Sequence, residues 1–216
     1  MTTTPATTPL PTDRPDGPRQ PRPGRHYWER LTKESGGWAT ATPPGQDLSA
    51  MRRGFGVAAG TVPGMWPFYT TLDREGRLTH ALRAEHVTLS LYGLHQQGQS
   101  TPMHREGVGV GRAIRALRAS GRYSEAAVDA RFTAAATATD IDELGFHLRG
   151  LINQLRTLKP AQPLDYTALY ADLRAWQHPD SVGRVRRRWG SDYFRIPTNT
   201  ATGEADPFLA QRKDLL

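Results

Sequence analysis

The chain has 216 residues, no cysteine, a net charge of +7 and a pI near 10.1. That length fits one domain or two small lobes sharing a core, and the basic balance favours a polyanionic partner. The lack of cysteine excludes disulfides and thiolate metal sites and fits a reducing, cytoplasmic setting. No apolar run approaches the ~20 residues of a membrane span, so no membrane partner is expected.

The first 25 residues, MTTTPATTPLPTDRPDGPRQPRPGR, lack the apolar core of a signal peptide. Rich in proline, threonine and glycine, they read as a disordered tail. From residue 26 to 196 nearly every periodic segment has a helical period, and residues 197–216 form a C-terminal extension. HYWERLTK (26–33) and DLSAMRRG (47–54) predict short amphipathic helices, the second closed by Gly54. Residues 55–68 read as a loop with Met65, Trp66 and Phe68 as packing anchors. LTHALRAEHVTLSLYGLHQQ (78–97) is apolar enough to run through the core. Helices follow over 124–137 from a serine N-cap and over 140–159 from Asp140, with Glu143 placed for a capping box. Two more are expected over 164–177 and 181–195, with stripes through Tyr166, Leu169, Tyr170, Leu173 and Trp176, and through Val182, Val185, Trp189 and Tyr193. There is no alternating strand pattern and no repeat. The fold class is therefore all-α, a helical bundle of short and medium helices with short Gly/Pro loops.

GVGVGRAIRALRASGR (107–122) admits two readings. A nucleotide-binding loop needs a strand before it and a G-K-S/T ending, and this stretch has neither. Read as the start of a helix, it places Val110, Ile114 and Leu117 in one arc. Arg112, Arg115 and Arg118 fall in another, which Arg122 joins if the helix survives Gly121. The N-terminal amides of such a helix are themselves suited to an anion. Of the 28 basic residues only Lys33, Lys159 and Lys213 are not arginine, and arginine's planar fork suits phosphate. GC-rich codon usage accounts for that ratio equally well, and each arginine is also consistent with a solvated helix face. Trp189 is expected in the core.

Catalytic patterns are lacking. His80, His86, His95 and His104 have no i,i+4 metal pairing, although His95 and His104 flank a loop and could meet. Asp140, Asp142 and Glu143 cluster at a helix start, where carboxylates complement the macrodipole. No nucleophile elbow occurs. The expectation is a protein that is not an enzyme and needs no cofactor.

An ordered set of stretches carries a resemblance: MRRG (51–54), GMWPFY (64–69), LYGLHQQ (91–97), MHREGVGVGRAI (103–114), RF (131–132), HLRGLI (147–152), PLDYTALYADLRAWQ (163–177) and RVRRRWGSDYFR (184–195). Over roughly residues 26–195 the chain resembles the CasB family, the small subunit of the type I-E CRISPR Cascade complex. The resemblance implies a non-catalytic helical subunit that contacts other Cascade subunits and packs head to tail with a second copy. It also implies backbone contacts to crRNA and target DNA, which steady the guide, the target strand and the displaced strand. The residues it points to are Arg52, Arg53, Arg105, Arg112, Arg115, Arg131, Arg149, Arg184, Arg187 and Arg188. Such a role reads phosphates rather than bases, leaving sequence to guide pairing. Two alternatives stay open: a stand-alone DNA-binding regulator, and a scaffold whose basic faces meet acidic proteins.

Overall fold

The computed structural model describes residues 25–195 other than 34 and 40. The expected N-terminal tail up to residue 24 and the C-terminal extension lie outside the described residues. Among those described there are eight α-helices, one 3-10 helix and no strand. They are α1 (Tyr27–Leu31), α2 (Gly45–Arg53), a 3-10 turn (Pro63–Phe68), α3 (His80–Gln96) and α4 (Val110–Ala119). Then come α5 (Glu125–Thr137), α6 (Ile141–Leu155), α7 (Tyr166–Trp176) and α8 (Pro179–Phe194).

Helix α3 is the hub. Thr79 caps it by accepting the Leu82 N–H, and nearly all its side chains are buried against α2, α6 and α7. A helix this apolar around its circumference is stable only when neighbours cover every face. Helices α4 and α8 form the second packed pair, and α5 joins α4 to α6. The stripes expected on α4, α7 and α8 all face the core, and Trp189 is buried.

Several details differ from the sequence reading. Trp66 is 51% exposed, its indole N–H donating to the Gly60 carbonyl, while Met65 and Phe68 alone anchor the 3-10 turn. Gly54 does follow α2, but with φ −69° it is no left-handed cap. It is glycine because a Cβ there would lie 2.2 Å from the Met65 sulfur and 3.0 Å from the His86 ring. The capping of α6 is displaced by one residue. Asp140 accepts the Asp142 and Glu143 N–H groups, whereas Glu143 reaches past Asp140 to the Thr139 N–H and hydroxyl. Helix α8 begins two residues earlier than expected because Pro179 occupies its first position, where no N–H is needed.

Candidate nucleic-acid interface

The glycine run proves to be a structural joint. Gly107 sits at φ +76°, a left-handed conformation that favours glycine, and its N–H donates to Asp165 Oδ2 at 2.8 Å. Gly109 is the N-cap of α4. Gly111 permits contact between helices: a Cβ there would lie 2.3 Å from the Trp189 carbonyl and 2.8 Å from Asp192 Cβ. Two of the chain's own carboxylates thus flank the amides that were a candidate anion site. Helix α4 ends at Ala119, and Gly121 turns the chain at φ +67°, so Arg122 does not extend the arginine row.

The arginines of α4 divide. Arg118 bonds Asp129 at 2.9 Å and Glu125 at 2.6 Å, which neutralises it. Asp129 is held below the usual carboxylate range by the Tyr193 hydroxyl and Arg118. Arg112 and Arg115 have no carboxylate partner among the described residues. Arg112 donates to the Gly107 carbonyl at 3.2 Å, and Arg115 donates to the Arg195 carbonyl at 2.8 Å. Both line a groove of about 570 Å3 between α4 and the end of α8.

A second group lies on α2 and α6, which both pack against α3. Arg149 lies over the Phe55 ring at 4.6 Å, just beyond Arg53. Two helical turns along α6, Arg156 donates to the Gln97 carbonyl, and its guanidinium pKa is lowered, first by burial and then by the Arg52 charge. Arg53 donates to Ser49 within its own helix. No carboxylate bonds Arg52, Arg53, Arg149 or Arg156 among the described residues. The sequence reading did not single out Arg156. Its spacing of seven from Arg149, which returns it to the same helix face, was the available signal.

The remaining candidates are dispersed. Arg184 and Arg187 are exposed on α8, while Arg188 bonds the buried Asp172, which also accepts the Trp189 indole N–H at 2.7 Å. Arg186 donates to the Ala138 carbonyl and covers Trp176. Arg131 is exposed on α5, one N–H spent on the Ala127 carbonyl. Arg105 lines a groove of about 610 Å3 with Arg25 and Lys33, but Glu29, Glu106 and Asp165 line it too. The structure does not bring these five basic groups into one patch.

His95 and His104 are spent on packing, whereas His80 is exposed. His95 and His104 both bond Tyr166, at opposite ends: His95 Nδ1 meets the hydroxyl at 2.9 Å, and His104 Nδ1 accepts the backbone N–H at 3.1 Å. Burial pushes the His95 pKa down to about 3. Among the described residues no cluster of three potential metal ligands occurs, and no helix is long and apolar enough to cross a membrane.

The family model for CRISPR-associated protein Cse2 matches residues 47–194, which span α2 to α8. The chain belongs to the Cse2 (CasB) family. Among solved structures it is similar to CasB from Thermobifida fusca, at 30% identity and TM-score 0.55, covering 70% of this chain and 85% of that one. It is also similar to CasB from Thermus thermophilus, at 25% identity and TM-score 0.52 over 69% and 85% of the two chains. M. ruber CasB, at 22% identity and TM-score 0.57 over 73% and 87%, shares the fold. No curated protein sequence matches at comparable significance. The Cse2 match begins beyond α1 and so leaves out the helix that carries Trp28 into the core.

Proposed function

We propose that this Cse2-family chain is the non-catalytic small subunit of a type I-E Cascade complex and holds crRNA and the target and displaced DNA strands by their phosphates. In that role it steadies the R-loop beside other Cascade subunits and a second copy of itself. The observation that carries the reading is the α2–α6 group. Arg52, Arg53, Arg149 and Arg156 have no bonded carboxylate among the described residues, the Arg52 charge reaches Arg156, Arg149 lies over the Phe55 ring, and Phe146, also on α6, is 67% exposed. Guanidinium groups beside exposed aromatic faces suit a phosphate chain and its unpaired bases. Such contacts carry no base code, which fits a complex whose guide reads the sequence.

The test is a salt titration of binding to mixed-sequence single-stranded DNA by the intact protein and by Arg52→Ala/Arg53→Ala/Arg149→Ala. The log–log slope should fall by about 0.7 for each phosphate no longer held, while Arg118→Ala leaves it unchanged. An unaltered slope in the triple variant, or a hundredfold preference for one duplex site, overturns the reading, the latter in favour of a stand-alone regulator. Magnesium-dependent cleavage of nucleic acid by the purified protein would overturn its non-catalytic part.

A further inference from the structure

The groove between α4 and the end of α8 has two kinds of wall. Ala116, Ala119 and Phe194 give an apolar floor, Arg112 and Arg115 give a cationic rim, and Glu125, which also lines it, is paired with Arg118. Phe194 is 69% exposed, the most exposed large apolar side chain among the described residues. An apolar channel with a cationic rim suits an extended segment in which carboxylates are followed closely by large apolar side chains.

The chain itself supplies such a segment at this place. Arg195 lines the groove, and Arg115 holds its carbonyl at 2.8 Å, so the chain leaves the described structure from the groove wall. Residues 196–216 read IPTNTATGEADPFLAQRKDLL. Up to Gln211 the only charges are Glu204 and Asp206, both negative, and Phe208 and Leu209 follow directly. From Arg195 to Glu204 an extended chain spans about 30 Å, enough to leave the groove and return to it. A tether of that length keeps the segment at roughly millimolar effective concentration.

We propose that residues 204–209 fold back into this groove. Glu204 and Asp206 meet Arg112 and Arg115, and Phe208 and Leu209 cover Ala119 and Phe194. The C-terminal segment is then an internal competitor that shields the α4 arginines until a polyanion of higher charge displaces it. The docking stands on the groove and the segment alone; the competition rests on the nucleic-acid reading above.

Because the chain has no cysteine, an introduced pair reports on docking directly. Full-length Ala119→Cys/Phe208→Cys, oxidised at low concentration, should close an intramolecular disulfide at least tenfold faster than Thr133→Cys/Phe208→Cys, whose first site is exposed on α5. Adding Arg112→Ala/Arg115→Ala should slow that closure. Equal rates for the two pairs overturn the docking, and so does a disulfide joining two molecules, which makes a second copy the occupant. The competition is read separately in full-length Glu204→Gln/Asp206→Asn, whose affinity for a mixed-sequence single-stranded oligonucleotide should rise about threefold. An unchanged affinity overturns the competition. If neither protein binds the oligonucleotide, the nucleic-acid reading and the competition both fall, while rapid closure of the Ala119→Cys/Phe208→Cys pair still supports the docking.

Discussion

The α2–α6 surface and the seams that join α4 to α5 and α8 to α7 use arginines in opposite ways. On the second, Arg118 is bound to Asp129 and Glu125, Arg188 to Asp172, and Arg186 to the Ala138 carbonyl over the Trp176 ring. Those guanidinium groups join helices to one another. On the first, burial and then the Arg52 charge disfavour the charge of Arg156, and Arg149 rests on an aromatic ring. Like charges gathered without counter-ions cost stability, and that cost is recovered when a polyanion arrives. The number of arginines therefore says little about how much positive charge is left uncompensated; the position of the carboxylates decides it.

The comparison breaks most visibly at Asp172. Asp172→Ala should cost about 3 kcal/mol, because it leaves Arg188 and the buried Trp189 N–H without their acceptor, and urea melts will read it. A loss below about 1 kcal/mol would mean that the α8 arginines are as loosely held as those of α2. Gly111→Ala tests whether α4 and α8 must touch for the paired region to exist. Its Cβ meets the Trp189 carbonyl, so a loss of about 2–3 kcal/mol is expected.

His95 sharpens the contrast from the uncharged side, since it lies in the interior where charge is refused. Its folded pKa of about 3 is below the unfolded value near 6.5. Above 6.5 both states are neutral; as the pH falls, only the unfolded chain takes the proton, and stability is lost progressively toward pH 3. Between pH 7 and 5 that loss is about 2 kcal/mol, and His95→Gln should remove it while His86 and His104, also depressed by burial, keep theirs. Melts at the two pH values decide this. The smallest expected effect is at Arg187, exposed and without a bonded carboxylate among the described residues. Arg187→Ala should change stability by no more than about 0.5 kcal/mol.

Helix positions were legible because α4, α6, α7 and α8 alternate apolar and polar residues at a helical period, and α3 was legible from apolar density alone. The site was less so. Arg118 and Arg188 look like Arg112 and Arg187 in sequence; their partners Asp129 and Asp172 are brought to them by the packing of α4 on α5 and of α7 on α8. No local pattern encodes that pairing. Trp66 failed as an anchor for a related reason: a 3-10 turn buries Met65 and Phe68, three residues apart, and turns the intervening tryptophan outward. The three glycines at 107, 109 and 111 share a spacing but meet separate demands of a turn, a cap and a helix contact.

The all-round burial of α3 also bears on how the protein is made. Its cover comes from α2, which precedes it, and from α6 and α7, which are synthesised later. At roughly 5–20 residues per second, the stretch of about 80 residues from Gln96 to Trp176 takes about 4–16 s to translate. Until α6 and then α7 are made, the nascent chain carries a helix that has only its N-terminal neighbours, α2 foremost, to cover it. A chain that stops short of α7 therefore exposes apolar α3 surface that the finished protein buries.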